Sequence, residues 1–247
     1  MNIKICILFL ITALYSAASI SAECVILLHG LARTSSSMEE LDQKLSDEGF
    51  YVANVDYPSR KMNIENLAEV AIGIGLKQCK KMNASPINYV THSLGGILVR
   101  QFYKIHEPEN VKRVVMLGPP NNGSEVVDNL KNMPGFELLN GPAGVQLGTG
   151  ENDIPRSLGA VNFELGVIAG TKSINLILST YLPNPDDGKV SVESAKVKGM
   201  CGFVALPVTH PFLMKNDRVI SEVINFLSSG EFKHDDSVNY CAGRETI

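Results

Sequence analysis

Short, almost continuously apolar runs alternate with helix-like segments along this chain, and this alternation limits the possible folds more than any other feature. The runs are Val25–Leu28, Tyr51–Val55, Ile87–Thr91, Val111–Leu117, Leu165–Ala169 and Phe203–Leu206. Continuous apolar character is typical of strands buried on both faces of a parallel sheet. With the helices between them, the runs predict a doubly wound, mostly parallel α/β sheet of about six strands.

Helical spacing of apolar residues marks four segments between and after the runs. The first ends near Gly49, and Asn63 is positioned to cap the start of the second. The third covers Leu94–Ile105, and Gly230 is expected to end the last. Asn at a helix start and Gly at a helix end are common boundary residues.

Length and composition fit a single globular domain. A chain of 247 residues is long enough to bury one large core. The net charge is −4 and the Lys and Arg residues are scattered, which excludes the clustered basic face of a nucleic-acid-binding protein. We expect one domain over residues 23–247, with a cap-like loop region at 119–160 and a polar tail at 231–247. The cap region is rich in Gly, Pro and Asn, and long loops in compact domains are commonly functional.

The first 22 residues have the layout of a secretory signal peptide. Lys4 supplies the positive charge, residues 5–14 are apolar except for Thr12, and small residues lead to cleavage after Ala22 or Ala18. The apolar run is shorter than the roughly 20 residues of a transmembrane helix. We therefore expect an exported protein, either periplasmic or secreted. Membrane anchoring by an uncleaved leader is the alternative.

Four cysteines remain outside the leader, and an even number in an exported protein predicts disulfides. They are Cys24, Cys79, Cys201 and Cys241. Four cysteines allow three pairings, of which we favour Cys24–Cys79 and Cys201–Cys241, since each would join elements expected to be neighbours. The spacings contain no C-x-x-C pair, so we expect no zinc site.

Ser93 is the candidate nucleophile. The segment Val90–Gly96 follows an apolar run and begins a helix, which is the context of the nucleophile elbow G-x-S-x-G. Such a turn lifts the serine hydroxyl clear of the sheet. Gly95 matches the second glycine of the motif, whereas Thr91 replaces the first. By itself, the segment also fits an ordinary strand-to-helix turn.

The loop after the first run is the candidate oxyanion hole. His29, Gly30 and Leu31 follow that run directly. In the fold that uses the elbow, this loop supplies one backbone N–H, and the residue after the nucleophile supplies the other. We therefore predict the N–H groups of Leu31 and Leu94 as the two donors.

Asp187 and His210 complete a predicted triad in the chain order Ser, Asp, His. A neutral histidine can accept the serine proton, and a carboxylate fixes its tautomer. Asp187 directly precedes Gly188 in a turn, which favours it over the neighbouring Asp186. The competing histidines are His92, expected to point away from the hydroxyl, His106 at a helix end and His234 in the tail.

These segments resemble those of bacterial triacylglycerol lipases and small esterases of the α/β-hydrolase fold, over roughly residues 24–228. Tyr57–Arg60 and Leu117–Asn121 add to the resemblance. It implies ester hydrolysis through an acyl-enzyme without a cofactor. The calcium-site aspartates of the larger bacterial lipases have no match, so no metal is expected.

The expected function is hydrolysis of carboxylic esters of lipid-like substrates by a monomer that contacts a lipid interface transiently. Four residues of the cap region are predicted to line the acyl pocket: Met133, Phe136, Leu138 and Leu139. A thioesterase, a peptidase or a lipid acyltransferase would use the same triad. The alternative that is not an enzyme is a binding module that keeps the fold without catalytic activity.

Overall fold

A computed structural model describes residues 22–241, which form one seven-stranded sheet with helices on both faces. The strands are β1 (Cys24–Leu28), β2 (Tyr51–Val55), β3 (Ile87–His92), β4 (Val111–Leu117), β5 (Leu165–Gly170), β6 (Gly202–Leu206) and β7 (Val238–Asn239). The helices are α1 (Glu39–Asp47), α2 (Ile64–Lys81), α3 (Leu94–Ile105), α4 (Glu125–Leu130), α5 (Phe136–Val145), α6 (Ile154–Ser157), α7 (Leu176–Ser179), α8 (Val192–Ala195) and α9 (Asp217–Ser229). Short 3-10 helices cover Ser35–Met38 and His210–Lys215.

The sheet has the strand order β2-β1-β3-β4-β5-β6-β7, and its first six strands are parallel. All six predicted runs form strands, which confirms the doubly wound α/β fold. The seventh strand, β7, was not predicted. It contributes only two residues of the polar tail and pairs antiparallel with β6, so it is too short to show a strand pattern in the sequence.

Side chains of each strand alternate between two cores, one on each face of the sheet. In β1, Ile26 and Leu28 pack into the core under α2 and α3, whereas Val25 and Leu27 pack into the core under α1 and α9. Adjacent strand residues point to opposite faces, so a strand covered on both sides needs apolar residues at every position. This burial explains the continuous apolar runs in the sequence.

The predicted helix boundaries are present. The Asn63 side chain accepts a hydrogen bond from the N–H of Asn66 at the start of α2. At the other end of the chain, Gly230 ends α9 in the left-handed conformation, with φ of 80°. Asn216 caps the start of α9 by accepting from the N–H groups of Arg218 and Val219.

Both favoured disulfides are present. Cys24 at the start of β1 is joined to Cys79 near the end of α2, and Cys201 before β6 is joined to Cys241 after β7. The second bond therefore ties the end of the described chain to the sheet. Across residues 22–241, no helix is long and apolar enough to cross a membrane. The predicted leader lies outside the described residues except for Ala22.

The region predicted as a cap-like loop contains three short helices, α4, α5 and α6. None is longer than ten residues, and α5 is kinked at Gly141, which has a φ of 71° and a ψ of 179°. Helices this short, interrupted by Gly and Pro, give too few turns for an apolar period to be visible in the sequence.

Candidate active site

Ser93 lies at the tip of a strained turn between β3 and α3. Its φ of 53° and ψ of −117° place it in a region that residues other than glycine rarely adopt. The turn is held by the Ser93 N–H, which donates to the Leu117 carbonyl at 2.9 Å, and by the Gly96 N–H, which donates to the Ser93 carbonyl. Strain of this kind persists only where the surroundings enforce it, and it is concentrated at functional sites.

The elbow requires glycine at position 95 because α3 begins almost in contact with β1. A Cβ atom on Gly95 would lie 2.7 Å from the Leu28 carbonyl oxygen. Thr91, which replaces the first glycine of the motif, is fully buried at the end of β3. The turn therefore accommodates a β-branched side chain at this first position.

Asp187 and His210 form a buried pair at the ends of β5 and β6. The Asp187 Oδ2 atom is 2.7 Å from the His210 Nδ1 atom, and the two residues are 1% and 8% exposed. Asp187 Oδ1 accepts from the N–H groups of Lys189 and Val190 at 3.0 and 2.9 Å. Since a carboxylate only accepts, it holds the proton on Nδ1 of a neutral His210 ring and leaves Nε2 free to act as a base.

Glycine at position 118 leaves room for this pair. A Cβ atom on Gly118 would lie 3.0 Å from Asp187 Oδ2 and 3.1 Å from His210 Nδ1, and its φ of 54° also disfavours a side chain. Gly118 belongs to the segment Leu117–Asn121, which the sequence identified only through its resemblance to lipases.

The neighbouring Asp186 has a different role in the same turn. Its Oδ1 accepts from the Gly188 N–H at 2.7 Å, and its Oδ2 accepts from the Ser179 hydroxyl. Asp186 therefore fixes the turn and α7, and makes no contact with a histidine. Of the two adjacent carboxylates, the structure brings Asp187 to His210.

His92 does not point towards the Ser93 hydroxyl but supports the loop that carries His210. Its Nε2 is 3.0 Å from the His210 carbonyl oxygen, so Nε2 carries a proton and donates. Within the described residues, the buried Nδ1 has no hydrogen-bond partner. Burial lowers the pKa of His92 far below its usual range, and the adjacent His210 ring adds to this effect. His92 is therefore a neutral positioning residue.

His29 supports the predicted oxyanion loop in a similar way. Its Nδ1 donates to the Gly30 carbonyl, and its Nε2 accepts from the Tyr57 N–H. The rings of His29 and Tyr57 stack at 4.0 Å, and the Tyr57 hydroxyl donates to the His29 carbonyl. Burial lowers the pKa of His29. Ser59 Oγ accepts from the Ala32 N–H at 3.0 Å, so residues 57–59 hold this loop in place.

The predicted oxyanion donors lie in these two fixed turns. The Leu31 N–H is in the loop after β1, and the Leu94 N–H is at the first position of α3. Neither group donates to an acceptor within residues 22–241. Leu31 also lines a cavity that contains Ser93 and His210.

This cavity has a volume of about 640 Å³ and opens at the carboxyl ends of the parallel strands. Ser93, Asp187 and His210 all line it, although the Ser93 hydroxyl makes no hydrogen bond within the described chain. The hydrogen bond between a nucleophile and its base is often long when no substrate is bound. The rest of the lining is mainly apolar and includes Val126, Val127, Leu130, Leu147 and Leu178.

The four residues predicted for the acyl pocket are divided between the cavity and the surface. Phe136 and Leu139 line the cavity. Met133 and Leu138 do not, and are 56% and 86% exposed. The sequence analysis missed Ser124, whose hydroxyl donates to the Lys189 carbonyl at 2.7 Å and so joins the cap region to the Asp187 turn. No local sequence pattern indicates this long-range contact.

His106 and His234 lie outside the cavity lining. His106 pairs with Glu69 on the surface, and His234 lies near Asp236. Among the described residues, no group of three His, Cys, Asp or Glu side chains is arranged to hold a metal ion.

Comparisons with known proteins agree with the fold. A family model for the alpha/beta hydrolase fold matches residues 23–141. No curated protein matches the chain by sequence. The mature lipase BlEst2 of Bacillus licheniformis superposes with a TM-score of 0.69 at 19% identity, over 84% of this chain and 93% of that chain.

Two further solved structures are similar. Esterase EaEST of Exiguobacterium antarcticum has a TM-score of 0.59 at 14% identity, over 85% of this chain and 93% of that chain. Phospholipase PlaB of Legionella pneumophila has a TM-score of 0.59 at 18% identity, over 71% of this chain and 45% of that chain. At these identities the likeness establishes the fold. The chain is an α/β-hydrolase-fold protein that is similar in structure to bacterial lipases and esterases.

Proposed function

We propose that the protein is a serine hydrolase that cleaves carboxylic esters of lipid-like substrates through an acyl-enzyme. The observation that carries this proposal is the buried Asp187–His210 hydrogen bond beside the cavity that also contains Ser93 on its strained turn. The mainly apolar cavity favours an acyl chain, and the similar solved structures include a lipase and an esterase.

The reaction begins when Ser93 Oγ attacks the ester carbonyl carbon and His210 Nε2 accepts the hydroxyl proton. Asp187 stabilises the resulting imidazolium through the hydrogen bond to Nδ1. The N–H groups of Leu31 and Leu94 donate to the oxyanion, and loss of one such donor typically costs about 3 kcal/mol in the transition state. His210 then protonates the departing alcohol, and water releases the acid by the same steps.

The decisive experiment measures hydrolysis of p-nitrophenyl esters with short and long acyl chains by the wild type and by Ser93→Ala. A fluorophosphonate probe followed by peptide mass spectrometry locates the nucleophile. We expect Ser93→Ala to lose both turnover and label. Ser124→Ala, which removes another hydroxyl from the same cavity, should keep the label.

Turnover or labelling that survives in Ser93→Ala would show that another group is the nucleophile. A folded wild type that cleaves acyl thioesters or amides but not esters would identify a thioesterase or a peptidase. Transfer of the acyl group to a lipid alcohol instead of water would identify an acyltransferase. An inactive binding module would give neither turnover nor label.

We also propose that the protein is exported and acts as a monomer. The two disulfides support export, because disulfides persist in oxidising compartments. A single chain contains all the proposed catalytic groups, which supports action as a monomer. Sequencing the N-terminus of the mature protein tests the predicted removal of residues 1–22, and light scattering tests the oligomeric state.

A further inference from the structure

Two cations line the cavity. Arg33 and Lys189 are exposed, and within residues 22–241 neither side chain forms a hydrogen bond or an ion pair. Asp187 is the only acidic residue among the described residues of the lining. Its oxygens are bonded to His210 and to the turn N–H groups, so the lining carries a net positive charge.

Other cations of the molecule, such as Arg113 and Lys131, form ion pairs. Arg113 pairs with Glu164, and Lys131 pairs with Asp128 and Asp153 of the cap region. Within residues 22–241, Arg33 and Lys189 form no such pair, and both lie where a substrate would bind.

Both unpaired cations arise from the turns that hold the proposed catalytic groups. Arg33 is two residues after Leu31, in the turn closed by its own N–H to the Gly30 carbonyl. The Lys189 N–H donates directly to Asp187 Oδ1. Most of the long apolar side chains of the lining come instead from the cap region and from α7 with the loop before it, although Leu31 lies in the loop of Arg33. An anion bound by these cations would therefore be close to the scissile ester and not at the far end of an acyl chain.

We propose that the substrate is an anionic phospholipid, an ester lipid whose alcohol part carries a phosphate and has a net negative charge, recognised by Arg33 and Lys189. This inference rests on the proposed ester hydrolysis and names its substrate class. In such a lipid only the glycerol carbons separate the ester oxygen from the phosphate, which matches the placement of both cations beside the catalytic turns. The Arg guanidinium fits phosphate oxygens in a bidentate manner, and the Lys ammonium adds a point charge.

Hydrolysis of such a phospholipid gives a lysophospholipid and a fatty acid. Ser93 Oγ forms a bond to the acyl carbon, and the bond between that carbon and the glycerol oxygen breaks. The lysophospholipid leaves with the proton supplied by His210. Water then attacks the acyl-enzyme and releases the fatty acid, while its proton passes through His210 back to Ser93 Oγ.

The test uses the full chain and two monomeric substrates with the same acyl chains, dihexanoyl phosphatidylglycerol and dihexanoylglycerol, both below the concentration at which they aggregate. Monomeric substrates exclude an effect of membrane surface charge. We expect the kcat/KM of the wild type to be about tenfold higher for the phospholipid than for dihexanoylglycerol. One or two charge-assisted hydrogen bonds would give a difference of this size. The double variant Arg33→Gln/Lys189→Gln should lose this preference, measured as the ratio of its kcat/KM values for the two substrates.

Lys172→Gln is the matched control, because it removes an exposed positive charge that lies outside the cavity lining. Its preference for the phospholipid should equal that of the wild type. Equal wild-type rates on the two substrates would overturn the inference without any variant. Equal losses on both substrates in the double variant would also overturn it. In either case, loss of dihexanoylglycerol hydrolysis in Ser93→Ala would still support the proposed ester hydrolase. Only the proposed substrate class would then be wrong.

Discussion

The two sides of the cavity are built in opposite ways. On one side, Asp187 and His210 are buried, and both oxygens of the Asp187 carboxylate have hydrogen-bond partners. On the other side, α5, α7 and the loops before them expose large apolar side chains to solvent. Those that line the cavity are Leu139 and Ile174, both 66% exposed, and they are joined by the partly exposed Phe136 and Leu178; these four residues we call the apolar wall.

This difference separates the chemistry from the accommodation of the acyl chain. A base and its carboxylate must be fixed before the substrate arrives, because preorganised groups need no rearrangement in the transition state. An acyl chain needs only a surface that excludes water. Elements with few buried contacts open more easily than a packed core, so the apolar wall is the side of the cavity that can adapt to different substrates.

Exchange of the carboxylate on the fixed side should give the largest effect. Asp187→Asn keeps the shape of the residue, but an amide can donate to Nδ1 and so favours the wrong histidine tautomer. We expect kcat for p-nitrophenyl esters to fall by about 10⁴-fold. Asp186→Asn is the matched control in the adjacent position.

Asp186→Asn should lower stability, since Asp186 accepts from the Gly188 N–H and the Ser179 hydroxyl, but should reduce kcat by less than about tenfold. Thermal unfolding and steady-state rates of both variants give the comparison. A greater kcat loss in Asp186→Asn than in Asp187→Asn would show that the carboxylates have been assigned to the wrong roles.

The buried histidines of the fixed side should make its stability depend on pH. The folded state lowers the pKa of His29 and His92, whereas an unfolded histidine titrates near about 6.5. Below that pH the unfolded chain binds more protons than the folded chain does. The contribution of these histidines to the free energy of unfolding is therefore fully present above about pH 6.5 and is lost as the pH decreases. Each unit of pKa difference contributes about 1.4 kcal/mol.

Urea unfolding at pH 7.5 and 5.5 measures this loss. His92→Phe removes one titrating group, so its stability should change less between the two pH values even though the variant is less stable at both. A difference in His92→Phe as large as in the wild type would contradict the neutral, buried His92.

The sequence indicates the positions of the fixed side because most of its signals are local. The apolar runs define the strands, Ser93 and His210 follow β3 and β6, and Asp187 lies in the connection between β5 and β6. The apolar wall is different, because a side chain in a short kinked helix faces the cavity or solvent according to long-range packing. Phe136 and Leu138 are two residues apart with similar chemistry, yet only Phe136 lines the cavity. The supporting contacts of Tyr57, Ser59 and His92 likewise join distant segments and have no local signature.

The smallest effect should come from the apolar wall, for which Leu139 is the test residue and the neighbouring Leu138, outside the lining, is the matched control. Leu139 lines the cavity and is 66% exposed, whereas Leu138 lies outside the lining and is 86% exposed. Leu139→Ala removes apolar surface that an octanoyl chain would cover, at about 1 kcal/mol, so kcat/KM for the octanoate ester should fall about fivefold. The acetate ester does not reach this surface and should react at the wild-type rate, and Leu138→Ala should leave both rates unchanged. Equal losses on octanoate in the two variants would mean that the acyl chain lies across the outside of α5 instead of inside the cavity.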